Sequence, residues 1–207
     1  MQCTQVRRGM LAKAKGRGKA LAACGVLLLA LDSGLALAQQ DTAYRETQLG
    51  LYLSAAEAYE LLQNDTNAVL IDVRDPVEVK FTGFAESTDI HVPWSLADRD
   101  NFDEQARTWP MVRNADFEAQ VAARLAALGV GKDDPIIVMC RSGATRSAPG
   151  ADVIHAMGYS EVYSVSDGFE GSTLKEGDSQ GVRAVNGWRN SGLPWSYEID
   201  PEIAWQP

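Results

Sequence analysis

The chain has 207 residues, 45% of them hydrophobic and 23% charged, and 28 Asp/Glu against 19 Lys/Arg give a formal net charge of −9. Nucleic-acid phosphates are bound by clustered positive charge, so this balance argues against a nucleic-acid partner. Only three cysteines are present, Cys3, Cys24 and Cys140, which is too few for a disulfide scaffold.

Residues 1–38 read as an export signal. Arg7, Arg8, Lys13, Lys15, Arg17 and Lys19 form a basic leader, an apolar run follows over 20–30, and Ala36-Leu37-Ala38 has the small-x-small pattern of a signal-peptidase site. Cleavage is expected after Ala38. The apolar run falls short of the roughly 20 residues that a spanning helix needs, so no stable membrane insertion is expected after cleavage. Cys24 precedes the apolar stretch instead of following it, the wrong order for a lipid anchor. Arg7-Arg8 loosely resembles a twin-arginine motif, which leaves the export route open. The expected location is periplasmic or secreted. Six Lys/Arg and one Asp leave with residues 1–38, so the remaining chain carries 13 basic and 27 acidic residues, a net −14, and keeps Cys140 as its sole thiol. A lone thiol in an oxidising compartment is a liability unless it is used.

Beyond the signal, about 169 residues suit one domain. Residues 39–49 are a polar lead-in. Ser54-Ala55-Ala56-Glu57 is a capping box, and Ala55, Ala58, Tyr59 and Leu62 recur at helical spacing, which predicts a helix over 54–63. The unbroken apolar run 68–73 predicts a buried, parallel-type strand, and 89–93 a shorter one. Residues 97–113 are charged and predict an irregular surface excursion. Asn114 is expected to cap a helix whose apolar stripe is Phe117, Val121, Leu125 and Leu128, ending at Gly129. Residues 136–139 predict the central strand. After it a helix tolerates Pro149 in its first turn, where N–H groups lack intrahelical partners. Residues 161–165 predict a last strand. Alternating strands and helices imply an α/β sandwich with its site outside the carboxyl ends of the strands.

Cys140-Arg141-Ser142-Gly143-Ala144-Thr145-Arg146-Ser147 begins at that position. A strand that ends in cysteine, turns through glycine and opens a helix gathers backbone N–H groups and the positive helix end around one spot. Such a setting lowers a thiol pKa from about 8.5 to roughly 3.5–7.5. Cys140 is therefore the expected nucleophile.

Taken together, these residues resemble the rhodanese-like single-domain sulfurtransferases. The resemblance runs from about Tyr52 to Trp195 and rests on Leu70-Ile71-Asp72-Val73-Arg74-Asp75-Pro76, on the Cys140 loop through Arg146-Ser147-Ala148, and on Gly158-Tyr159 before Val162-Tyr163. Asp167-Gly168-Phe169, Gly187-Trp188 and Gly192-Leu193-Pro194 complete it. It implies a three-layer α/β sandwich with a mostly parallel central sheet flanked by helices, over 50–198, with 199–207 as a tail. It also implies that Cys140 takes a sulfane sulfur from a small anion such as thiosulfate, holds it as a persulfide and passes it to a thiol, to cyanide or to a protein acceptor. Arg141, Ser142, Gly143, Ala144, Thr145 and Arg146 would bind the anion, with Asp72, Arg74 and Ser147 in support. No metal or organic cofactor is required.

Five residues separate Cys140 from Arg146, where many sulfurtransferases of this type have four. The longer spacing also resembles the Cys-x5-Arg-Ser/Thr loop of cysteine phosphatases and arsenate reductases, which is the alternative reading. A sulfur carrier or redox-sensing module without turnover is a third. Phe84 and residues 85–88 stand where the family usually has a Gly-His-Ile-Pro-like turn. His91 and His155 are expected to be packed or solvated, not to form a Cys-His dyad. The carboxylates show no metal-ligand spacing and the five tryptophans are expected in core or rim packing. The glycine-rich stretch 171–187 is expected to be a mobile loop over Cys140 or against a partner.

Overall fold

The computed structural model describes residues 46–207; the signal expected at 1–38 and most of the lead-in at 39–49 lie outside the described residues. In chain order the elements are β1 (Tyr52–Leu53), α1 (Ala55–Asn64), β2 (Val69–Asp72), α2 (Pro76–Thr82), β3 (Phe84–Ala85), β4 (Ile90–His91), β5 (Ser95–Ala97), β6 (Met111–Arg113), α3 (Phe117–Leu128), β7 (Ile136–Met139), α4 (Ser147–Ala156), β8 (Val162–Val165) and β9 (Trp195–Ser196). Among the described residues no helix is long and apolar enough to cross a membrane.

Strands with no polar alternation need cover on both faces. The five-stranded sheet has that cover: its order is β1-β8-β7-β2-β4, every pairing is parallel, and β2 and β7 are buried at every position. Successive side chains point to opposite faces. Val69, Ile71, Ile136 and Val138 pack with Phe117, Val121 and Leu125 of α3 and Ile154 of α4, while Leu70, Ile137 and Met139 pack with Ala55 and Ala58 of α1 and with Trp188. The result is the expected three-layer α/β sandwich with β7 in the middle of the sheet.

Local chemistry explains most boundaries. The Ser54 hydroxyl accepts from the Glu57 N–H and the Glu57 carboxylate accepts from the Ser54 N–H at 2.7 Å, so the predicted capping box starts α1. Sequence reading passed over α2, although Asp75-Pro76-Val77-Glu78 is the same device. Asp75 accepts from the Val77 N–H at 2.7 Å, Glu78 accepts from the Asp75 N–H at 3.0 Å, and Pro76 needs no donor at the first helical position. Two expectations are corrected. Asp116, not Asn114, holds the cap position of α3; Asn114 stands two residues earlier, where its Oδ1 accepts from the Asp116 N–H at 3.1 Å while its amide nitrogen donates to the Pro93 carbonyl and to Gln120. Residues 97–113 are not irregular throughout: β5 and β6 close an antiparallel hairpin with Ser95 opposite Arg113, and an isolated bridge joins Asp103 to Thr108.

Asp72 and Arg74, at the carboxyl end of β2, form a fully buried ion pair. The Arg74 Nε donates to both Asp72 oxygens at 3.0 and 2.9 Å, its other nitrogens donate to Thr82 Oγ1 and the Gly83 carbonyl, and the guanidinium lies 4.0 Å from the Phe169 ring centroid. Burial alone would push the Asp72 carboxyl up, but Arg74 outweighs it and holds the carboxyl below its ordinary range. The pair ties β2 to the end of α2 and to the segment after β8. Removing one partner of such a pair leaves an uncompensated charge, at about 3–5 kcal/mol. Arg74→Leu is therefore expected to lower the Tm by about 10 °C, and adding Asp72→Asn to recover part of the loss; equal stability of single mutant and wild type in thermal unfolding would refute this role.

Candidate active site

β7 delivers Cys140 to the carboxyl edge of the sheet, residues 141–146 form the loop, and α4 opens at Ser147. The loop is pressed against the segment after β8 at two glycines. Gly143 has φ +69°, and a Cβ there would lie 2.1 Å from the Ser166 carbonyl oxygen; Gly168 has φ +63°, and a Cβ would lie 2.5 Å from the Cys140 carbonyl oxygen. Larger residues are excluded by space as well as by backbone conformation. This approach lets the Cys140 carbonyl accept from the Phe169 N–H at 2.9 Å and the Arg141 carbonyl from the Glu170 N–H at 2.8 Å. Asp167 anchors the brace by accepting from the N–H of Ala55 at 2.8 Å and of Gly187 at 3.0 Å. With the loop's first two carbonyls so occupied, the Ser142 N–H turns to the Cys140 sulfur, and the other N–H groups of residues 141–146 have no hydrogen-bond acceptor among the described residues, which leaves them to a ligand.

Cys140 is 1% exposed beneath this loop. Its Sγ lies 3.5 Å from Ser147 Oγ, and the Ser164 hydroxyl donates to Ser147 Oγ at 2.9 Å, so Ser147 is free to donate its own proton to the sulfur. Burial raises the thiol pKa, yet the Arg146 charge, the Ser147 hydroxyl and the N–H groups of Ser142 and Ser147 outweigh it and lower the pKa. The surroundings thus favour the thiolate over the thiol.

Carboxylates the sequence did not single out hold the arginines in place. Glu78 of α2 receives Arg146 through both guanidinium nitrogens, one at 2.8 Å. Burial of Glu78 raises its carboxyl pKa, but Arg146 and the Asp75 N–H win and keep it ionised. Glu170 accepts from Arg141 Nε at 2.5 Å and from Arg189 Nη2 at 2.9 Å. Arg183, from the 171–187 stretch, donates to the Gly171 carbonyl; burial and then the neighbouring Arg141 lower its pKa. The stretch itself is laced by the Thr173–Arg183 bridge and by a 2.8 Å bond from Leu174 N–H to the Val182 carbonyl.

A cavity of about 590 Å³ opens over the loop, walled by Arg141, Ser142, Ala144, Thr145 and Arg146, by Arg183 and Glu78, and by Trp94, Ser95, Met111 and Arg113. The structure therefore brings together all the loop residues singled out in the sequence, with Gly143 packed behind the cavity and Ser147 behind the sulfur. Asp72 and Arg74 lie in the core without a hydrogen bond to the loop. His91 is also elsewhere: its Nε2 pairs with the Arg74 carbonyl at 2.9 Å and its Nδ1 accepts from the Trp205 N–H, while His155 pairs with the Tyr159 carbonyl. Among the described residues no group of three His, Cys, Asp or Glu could hold a metal ion.

A cysteine on an amide-lined loop at the carboxyl edge of a parallel sheet places the chain among α/β domains whose loop is shaped for an anion. Residues 54–174 match the Rhodanese-like domain, and the chain belongs to that family. A crystal structure of Rv0390 from M. tuberculosis is similar at 30% identity, covering 70% of this chain and 96% of that one with a TM-score of 0.53. An uncharacterised protein of Rickettsia rickettsii is 29% identical, covering 70% of this chain and 96% of its own length. The polysulfide-sulfur transferase homodimer of Wolinella succinogenes is 23% identical, covering 79% and 88%, with a TM-score of 0.49.

Because the folded-state pKa of Cys140 is lowered, chiefly by Arg146 against the opposing effect of burial, the thiolate forms at lower pH than in a free cysteine. Ultraviolet thiolate absorbance, read against Cys140→Ser as blank, is expected to show this. Ser147→Ala removes a charge-assisted hydrogen bond of about 1.5 kcal/mol and is expected to cut the thiolate-to-thiol ratio about tenfold. A wild-type titration no lower than that of a small-molecule thiol would overturn the assignment.

Proposed function

We propose that the protein is an exported sulfurtransferase that carries a sulfane sulfur on Cys140. The observation that carries this reading is a cysteine with a lowered pKa beneath a cavity walled by arginines and by the loop that carries free N–H groups. The thiolate attacks the outer sulfur of thiosulfate, the S–S bond of the donor breaks with its electron pair on sulfite, and a new S–S bond leaves Cys140 as a persulfide anion. Cyanide or a thiolate then attacks the outer sulfur and regenerates the Cys140 thiolate. Charge is conserved in both steps and neither needs a proton. The N–H groups of the loop and the Ser147 hydroxyl suit the displaced negative charge in the manner of an oxyanion hole.

The Cys-x5-Arg spacing favours a second reading, in which the loop holds a tetrahedral oxyanion and cleaves phosphate esters. An alkoxide leaving group, unlike sulfite, calls for a general acid. Glu78 is the one carboxylate among the described residues walling the cavity, and Arg146 keeps it ionised. The charge state of Glu78 therefore supports sulfur transfer over ester hydrolysis.

Purified protein given thiosulfate and cyanide is expected to form thiocyanate, with activity rising with pH along the Cys140 titration and falling at least 1,000-fold in Cys140→Ser, on the order of the loss seen when a covalent nucleophile is removed. Intact mass after thiosulfate alone should show one added sulfur atom. Release of phosphate from an aryl phosphate, with no thiocyanate and no sulfur adduct, would reverse the order of the two readings. Fractionation of the native host should find the protein outside the cytoplasm.

A further inference from the structure

The cavity is larger than the proposed donor. Thiosulfate has five heavy atoms and fills roughly 100 Å³, a few water volumes of about 30 Å³ each, whereas the cavity measures about 590 Å³. The surplus is not simply more oxyanion site. One wall comes from the loop, and a second comes from the β5–β6 hairpin, which brings Trp94, Ser95, Met111 and Arg113.

Arg113 differs from the other three arginines of the cavity. Arg141 and Arg146 are paired with Glu170 and Glu78, and Arg183 is bonded to the Gly171 carbonyl. The Arg113 guanidinium has no hydrogen-bond acceptor among the described residues, and lies 3.5 Å from the centroid of the Trp94 ring. Cation–π stacking orients the guanidinium while leaving its in-plane N–H groups unspent. Trp94 is itself fixed, edge-on to the buried Phe117 at 5.0 Å and with its carbonyl accepting from the Asn114 N–H at 2.9 Å. A planar donor fork held in this way suits a carboxylate. Trp94, Met111 and Ala144 offer an aliphatic body something to pack against.

We propose that Arg113, stacked on Trp94, is a specificity-determining residue that selects a small organic thiol bearing a carboxylate as the sulfur acceptor. This rests on the sulfur-transfer reading above. The acceptor carboxylate pairs with Arg113, its aliphatic chain crosses the apolar wall, and its thiolate attacks the outer sulfur of the Cys140 persulfide. An S–S bond forms on the acceptor, the S–S bond to Cys140 breaks, and the electron pair returns to the Cys140 thiolate.

The test loads the protein with thiosulfate and measures kcat/KM for 3-mercaptopropionate and 2-mercaptoethanol, in wild type, Arg113→Gln and Arg113→Lys. Comparing the ratio of the two acceptors within each protein cancels their intrinsic reactivity and any change in donor binding. The ratio is expected to fall at least fivefold in Arg113→Gln, to be largely kept in Arg113→Lys, and to fall in the wild type as salt is raised. A ratio within twofold of wild type in Arg113→Gln overturns the proposal while thiocyanate formation leaves the sulfur-transfer reading standing. Absence of a sulfur adduct on wild-type Cys140 overturns both. Intact-mass loading of each variant shows that its loop is folded, and salt dependence of the wild-type ratio decides the matter if a variant fails to load.

Discussion

A sulfur atom that is 1% exposed and yet has its pKa drawn down against burial sets the terms for everything near it. Charge in a buried place is costly unless it is paired and hydrogen-bonded. The compensation here is spread over the Arg146 charge, one hydroxyl and the backbone N–H groups, and only the first two depend on side-chain identity. The backbone share depends on shape: the loop's carbonyls must be occupied elsewhere, and the loop must come close enough to the β8 segment for that to happen. Gly143 and Gly168 permit the approach, and Phe169 and Glu170 supply the donors.

The same logic recurs in pairs, two at the site and one in the core. Arg146 is held by Glu78, Arg141 by Glu170, and Arg74 by Asp72. Each carboxylate removes freedom from a long side chain and fixes where its positive charge stands, at the expense of part of the field that an incoming anion would feel. Glu78 serves two ends at once, closing the cap of α2 and holding Arg146, so the start of a helix and the electrostatics of the thiolate share one side chain. Arg113, fixed by an aromatic face instead of a carboxylate, keeps its hydrogen-bonding capacity whole.

The sequence was most legible where local chemistry decides conformation. The Ser54 box, the glycine stop of α3 and the apolar runs of β2 and β7 each need only their neighbours to be read, and the loop from Cys140 to Ser147 announced itself by composition. The hairpin at 95–113 was less legible, since β6 is exposed at every position, neither short strand alternates, and their pairing is decided across more than a dozen residues. Asn114 was read nearly right: its Oδ1 serves the entrance of α3 through the Asp116 N–H, but the bond of its amide nitrogen to the Pro93 carbonyl depends on a residue 21 positions away.

By itself the sequence determined the α/β alternation, the placing of one cysteine on a glycine-bearing loop between a strand and a helix, and the family to which the chain belongs. These follow from periodicity, caps and a contiguous motif, which are properties of neighbours along the chain. Tertiary structure alone decided which carboxylates meet which arginines, that Asp72 and Arg74 serve the core, and that Trp94 and Arg113 share a wall with Cys140's loop. Glu78 and Arg146 are 68 positions apart and Arg141 and Glu170 are 29 apart; charges so distant along the chain become partners only when the parallel sheet lines up the ends of its strands, and no local pattern records that meeting.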